Sequence, residues 1–202
     1  LLVGLQRTDS GAGQDGAWER QFFTWGIDRS GTIGGAGGIG GLLEMTVGGE
    51  FGEVPVRDDY LVASDGLGNV TAYINRATGQ RVAEFEYSPF GETVRTRENL
   101  AEFGVFAFPL RHQTKFSSAF YVGLGEPVHE LYDYGQRNYE PTLGRFLNRD
   151  PISTAGGSNV YAFVGNNPFR GWDAWGLVVT SLPNELGGTG EIVELPEFQV
   201  TN

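Results

Sequence analysis

The chain has no cysteine, which excludes a disulfide framework and a thiolate metal site. It has two histidines, His112 and His129, too few for a His-based metal centre and little for a triad. Lysine occurs once, at Lys115, so the 14 cations are otherwise arginine, and 25 carboxylates outnumber them. A formal charge of −11 argues against a nucleic-acid or anionic-membrane surface. Met45 is the single methionine. No apolar run approaches the ~20 residues of a membrane span. The chain starts Leu-Leu-Val without Met or a basic n-region. That start reads as a fragment or processed product, so a missing signal peptide carries no meaning.

What is present points to strands. Of 202 residues, 40% are hydrophobic and 13% aromatic, enough to bury the core of one domain or two small ones. The 32 glycines are about twice the average share. They follow no collagen period and are read as turns. Helix-period stripes are scarce. The expectation is a mostly β chain of short strands and frequent reversals.

Residues 9–17 read as a loop. Residues 19–27 read as a strand on Phe22, Phe23, Trp25 and Ile27. A turn at Asp28-Arg29-Ser30-Gly31 leads into a Gly-rich piece, 31–41, and a second apolar piece spans 42–47. Residues 60–63, 70–74 and 82–87 read as three strands joined by turns at Asp65-Gly66-Leu67-Gly68-Asn69 and Arg76-Ala77-Thr78-Gly79-Gln80. Together they make a meander. Residues 92–101 are charged and read as loose helix or coil. Phe103, Phe106 and Phe108 crowd before Pro109. Residues 131–139 read as one strand, 141–147 as a helical turn, and 160–164 as a short apolar segment. Residues 178–202 hold four Glu and no Lys, Arg or His, and read as an extended tail or the start of a truncated region.

A diverged repeat runs through the chain: Phe23-Thr24-Trp25, Phe85-Glu86-Tyr87 and Tyr132-Asp133-Tyr134. Strand side chains alternate with period two, so both aromatics of each unit face one side. Stacked units would share an aromatic layer. Other signals are weaker. Gly35-Ala36-Gly37-Gly38-Ile39-Gly40 matches G-x-G-x-x-G, but the following Leu42–Gly49 is too short for the crossover helix a dinucleotide site needs. His112 and His129 are read as structural. The Tyr and Trp residues suit a packed seam better than a sugar platform. Ser117 and Ser118 lack a nucleophile-elbow context.

The run Tyr132-Asp133-Tyr134-Gly135-Gln136-Arg137-Asn138-Tyr139-Glu140-Pro141-Thr142-Leu143-Gly144-Arg145-Phe146-Leu147-Asn148-Arg149-Asp150-Pro151-Ile152 strongly resembles the core motif of the Rhs (rearrangement hotspot) family. So do Gly156-Gly157-Ser158-Asn159-Val160-Tyr161, Gly165-Asn166-Asn167-Pro168 and Asp173-Ala174-Trp175-Gly176-Leu177. The meander at 60–91 resembles the family's tyrosine–aspartate (YD) repeat. The resemblance implies kinship with Tc-toxin C subunits and teneurins. It implies a β-hairpin spiral forming part of a hollow shell, ending in an Rhs core plug with short helical turns. The divisions it implies are a repeat segment at 1–105, a core at 106–177 and a tail at 178–202. In many members the core is an intramolecular aspartyl protease that cuts once and frees an enclosed C-terminal toxin.

Carried onto this sequence, the resemblance makes Asp150 and Asp173 the catalytic pair; the adjoining Arg149 either tunes the pair electrostatically or is simply a surface cation. The cleaved bond would be Leu177–Val178. Two carboxylates close together cannot both ionise cheaply, so one keeps a proton while the other activates water. Against this, an Asp before Pro, such as Asp150, is commonly a turn-former whose carboxylate caps backbone amides. The family's usual Pro after the second Asp is Ala174 here, and losing a fixed φ is expected to loosen the strand presenting the bond. Two functions therefore stand: a shell segment whose core releases a C-terminal polypeptide cargo, or a non-proteolytic structural or adhesive YD-repeat surface protein. Both imply a secreted or cell-surface bacterial protein without cofactor or metal. Secretion-machinery or toxin-complex proteins are the expected partners, not nucleic acid.

Overall fold

The structure is a computed structural model describing residues 3–8, 18–51, 54–98, 108–121, 127–177 and 179–181. Seven strands form one antiparallel sheet in sequence order. They are β1 (Val3–Thr8), β2 (Trp18–Trp25), β3 (Leu42–Phe51), β4 (Val54–Ser64), β5 (Val70–Asn75), β6 (Arg81–Tyr87) and β7 (Thr93–Glu98). Turn chemistry fixes the meander within it. The Asp65 carboxylate accepts the amides of Leu67 at 2.8 Å and Asn69 at 2.9 Å. The Asn75 amide oxygen accepts those of Ala77 and Thr78, both at 3.0 Å. These Asx turns place β4, β5 and β6 side by side.

A second antiparallel sheet is ordered β11-β10-β9-β8. Its strands are β8 (Phe116–Tyr121), β9 (Pro127–Asp133), β10 (Asn138–Glu140) and β11 (Arg145–Phe146). A two-stranded sheet pairs β12 (Gly171–Asp173) with β13 (Val179–Ser181). Single 3-10 turns occur at His112–Thr114, Ser153–Gly156 and Val164–Asn166. No helix among the described residues is long and apolar enough to cross a membrane.

Strands β1 and β8 fall where the sequence reading placed no element, and three segments that it did assign take another form. Residues 93–98 are a strand, not helix or coil. The Arg95 and Arg97 side chains face solvent and pair across to β6, Arg95 with Glu86 at 3.1 Å and Arg97 with Glu84 at 3.6 Å. The single strand expected over 131–139 is broken, because the Asp133 carboxylate takes the Gly135 amide at 2.6 Å and turns the chain. Residues 141–144 form the turn between β10 and β11 rather than a helical turn. Of the expected aromatic crowd, Phe103 and Phe106 lie outside the described residues, as do the 9–17 loop and residues 182–202. Phe108 is buried.

Two aromatic cores result. The first lies on the large sheet, where Phe23, Met45, Tyr60, Tyr73 and Phe85 meet Phe108. The Tyr60 and Phe108 rings meet edge to face at 5.5 Å. The second gathers Tyr132, Tyr134, Tyr139, Phe146 and Phe163, with Tyr139 and Phe163 at 4.1 Å. Both aromatics of each repeat unit are turned inward, as the period-two spacing requires.

The cores are joined by Arg111-His112-Gln113-Thr114-Lys115, a pentapeptide with little solvent exposure. The His112 ring sits among Tyr87 of β6, Tyr132 of β9, Tyr139 of β10 and Phe163, at 5.4 to 6.1 Å between ring centres. Neither ring nitrogen has a hydrogen-bond partner. The side chain of His129 lies outside the described residues. Gln113 donates its amide to Asn69 Oδ1 at 2.9 Å and accepts from the Tyr134 hydroxyl at 3.1 Å. Thr114 donates to the Gly68 carbonyl at 2.7 Å. One short segment thus bonds to both halves.

Burial lowers the His112 pKa from 6.5 to about 3. Below pH ~6.5 the unfolded chain takes up a proton that the folded chain refuses, so stability falls as the pH drops from ~6.5 toward 3. His112→Phe removes this loss. The difference in stability loss between the two proteins is expected to reach about 2 kcal/mol by pH 5, measured by urea denaturation at stepped pH. Parallel curves would contradict the burial of a neutral imidazole.

Candidate active site

The Asp150 and Asp173 side chains converge on a residue absent from the sequence reading of the site. Arg137 follows the turn after β9, and its guanidinium is almost wholly buried over the Phe146 ring, 3.7 Å from its centre. One terminal nitrogen lies 3.0 Å from Asp150 Oδ2 and the other 3.3 Å from Asp173 Oδ2. Its Nε donates to the Gly176 carbonyl, and Nη1 also donates to the Val160 carbonyl at 3.3 Å. Only a planar, multi-donor cation can satisfy four such acceptors at once. Arg149 is exposed and donates to Ser153 Oγ at 3.2 Å.

Each carboxylate also organises a turn. Asp150 Oδ1 accepts the Ile152 amide at 2.9 Å. Asp173 closes β12, and its Oδ1 accepts three successive amides, Trp175 at 3.2 Å, Gly176 at 2.7 Å and Leu177 at 3.0 Å. Gly176 has φ +72°, and a Cβ there would meet Tyr134 Cβ at 3.1 Å and the Arg137 amide at 3.2 Å. The turn therefore needs glycine for both conformation and space. Burial raises the Asp173 pKa above the ordinary carboxylate value, while the Leu177 amide, Arg137 and the other amides oppose it. Two carboxylates left to face each other would repel. Here a shared guanidinium offsets that repulsion.

The carbonyls of the same turn are held as well. Lys115 Nζ donates to Ala174 at 2.8 Å, the Gln136 amide to Trp175 at 3.3 Å, and Arg137 to Gly176. Ala174 lacks a proline's fixed φ, yet its carbonyl is tied. Leu177 is buried. Val178 lies outside the described residues, and Val179 already pairs with Asp173 in the β12–β13 hairpin. The G-x-G-x-x-G run holds no crossover helix. Its Ala36 and Gly38 amides donate to Asp28 Oδ2 at 2.8 and 3.1 Å, so the chain's own carboxylate fills the place of an anion. No group of three or more His, Asp or Glu among the described residues could hold a metal.

The missed residues left faint signals. Arg137 sits within the Tyr-rich segment 132–139, where an arginine surrounded by ring formers is placed to be buried. Lys115 is the lone lysine of an arginine-using chain.

Over about half its length the chain is related to subunits of a bacterial toxin complex. It is 36% identical over 92 residues to the toxin subunit YenC2 of Yersinia entomophaga and 33% identical over 100 residues to YenC1. These matches cover 46% and 50% of this chain but only 8% and 9% of the relatives. A shorter match, 52% over 41 residues, joins it to the double-stranded DNA deaminase toxin A of Burkholderia cenocepacia, covering 20% of this chain and 3% of that protein. No family profile matches. Among solved structures, TcdB2–TccC3 superposes at TM-score 0.55 over 87% of this chain and 8% of that one, at 23% identity. The Photorhabdus luminescens Tc holotoxin pore superposes at TM-score 0.52, with 23% identity, over 93% of this chain and 9% of that one. The fold, several antiparallel sheets in a mostly β chain, is shared with these toxin subunits.

Removing Arg137 strands two buried carboxylates. Arg137→Met is expected to lower folding stability by about 3–5 kcal/mol, read as a fall in the urea midpoint. Arg137→Lys, which keeps the charge without the fork, should lose less. A loss below about 1 kcal/mol in the Met variant would place this cluster among weak, solvated pairs.

Proposed function

We infer that this chain is a segment of a toxin-complex shell whose core cuts its own backbone once, between Leu177 and Val178, to free a C-terminal polypeptide held as cargo. The observation that carries the reading is the Asp173 carboxylate, which grips the amide of Leu177 and shares the Arg137 guanidinium with Asp150. Kinship with YenC1 and YenC2 supports assembly with other toxin-complex proteins and a secreted or surface-associated setting.

The chemistry needs only water. Asp173 serves as the protonated partner, a form that burial favours while its three amides and Arg137 oppose it, and polarises the Leu177 carbonyl. Asp150 takes a proton from water, whose oxygen adds to the carbonyl carbon. The C–N bond then breaks, a proton passes to the Val178 nitrogen, and Leu177 is left as a carboxylate. The tied turn of 174–177 holds the substrate in one conformation before reaction, which lowers the entropic part of the barrier. In this reading the repeat sheets continue beyond this chain to close a shell around the cargo.

A specific observation also favours a non-proteolytic structural role. Both carboxylates already cap turn amides and are charge-paired, as structural aspartates are. Intact-mass analysis separates the two. The wild-type chain is expected to yield two masses that sum to the whole plus one water, and Asp150→Asn and Asp173→Asn a single uncut mass. An uncut wild-type chain would leave the structural role standing and remove the protease.

A further inference from the structure

Lys115 is a buried ammonium that no step above uses. It donates to two backbone carbonyls from remote parts of the chain: Gly37, 78 residues away, at 3.1 Å, and Ala174, 59 residues away, at 2.8 Å. It lies 5.3 Å from the centre of the Tyr134 ring and 5.9 Å from that of Trp175, within cation–π range.

Gly37 is itself held in place. The amides on either side of it, Ala36 and Gly38, donate to Asp28, and φ at Gly37 is +61°. A Cβ there would lie 2.5 Å from the Ala174 oxygen and 3.1 Å from Lys115 Nζ. The Gly-rich loop leads from β2 to β3 of the large sheet. The Ala174 carbonyl belongs to the turn ending at Leu177. The ammonium is therefore a two-way tie between the large sheet and that turn.

We propose that Lys115 is a positioning residue for self-cleavage, fixing the 174–177 turn against the Gly-rich loop so that the bond is presented only once the large sheet has docked. This rests on the self-cleavage reading above. It adds a condition that the carboxylate pair does not impose, because neither aspartate contacts the loop at 31–41 through any bond described. Cleavage would then follow, not precede, assembly of the enclosing sheet, and cargo would not be freed from an unfinished shell.

The tie is titratable. Burial lowers the Lys115 pKa from 10.5 to about 8, against the opposing pull of Asp173, Asp133 and Asp28. Arg137, on the neighbouring Gly176 carbonyl, is the other cation of the turn. Above pH ~8 the lysine loses the charge that strengthens its bonds to both carbonyls.

The test measures the rate of cleavage in the full chain for wild type, Lys115→Met, Lys115→Arg and Gly37→Ala. The account expects Lys115→Met and Gly37→Ala to cut about 100-fold more slowly, with thermal unfolding still cooperative. It also expects the rate of Lys115→Arg relative to wild type to rise about tenfold between pH 7 and pH 9, because arginine stays charged. If Lys115→Met fails to fold, the pH-dependent ratio decides. A lysine that only filled space would leave that ratio flat. Lys115→Met cutting at the wild-type rate, or a flat ratio, would overturn the positioning role while leaving the protease intact. A wild-type chain that is never cut would overturn both.

Discussion

A guanidinium removed from water must find acceptors for its N–H groups and countercharge for its ion. Arg137 finds both in a few ångströms: two carboxylates, two carbonyls and an aromatic face. The carboxylates in turn could not be buried without it. The turn at 174–177 could not close without the Asp173 oxygen, which takes three of its amides. Asp150 ties the same cluster to the turn at Ile152. Arg137 thus fixes three segments of the core, and the aromatic cluster around Phe146 and Phe163 supplies the dry surroundings that make each bond strong.

The second constraint is the pentapeptide 111–115. It inserts between the large sheet and the core, and every polar side chain in it reaches a different element. The exception is His112, whose imidazole is packed as an aromatic ring with no polar partner. A neutral, unpaired imidazole costs stability, and it persists because four rings close around it. Arg111 pairs with Glu130 at 3.3 Å, while Lys115 reaches the site. Packing and site geometry are therefore one problem in this chain, since the segment that joins the cores also carries the ammonium that holds Ala174.

Much of the sheet was legible because local chemistry and long-range packing agree there. Residues 70–74 and 82–87 alternate, and Asp65 and Asn75 close the turns between them. Residues 93–98 misled because their arginines are solvent-facing partners of Glu84 and Glu86, so charge masked an edge strand. Residues 116–121 form a strand with no counterpart in the sequence reading, because Ser117-Ser118 interrupts its apolar residues, although a Gly- and Pro-containing run, 123–127, follows it in sequence. At the site, Asp150 and Asp173 were found through a resemblance, not through spacing. Arg149 adjoins Asp150 in sequence, but alternation points neighbours on an extended chain in opposite directions, and it is a surface cation. The cation that reaches both carboxylates arrives from β9 and its following turn, a choice made by the fold alone. Lys115 stands out as the lone lysine, but its meeting with Gly37 and Ala174 is likewise set by the fold alone.

The claim on which the rest hangs is that Arg137 and Asp173 act as one unit. A double-mutant cycle on folding stability, comparing Arg137→Met, Asp173→Asn and the double variant at pH 7, tests it most directly. The account predicts a coupling of about 1.5–3 kcal/mol, with the double variant less damaged than the sum of the singles. Additivity within about 0.5 kcal/mol would mean that the guanidinium and the carboxylate do not depend on each other, and would contradict it.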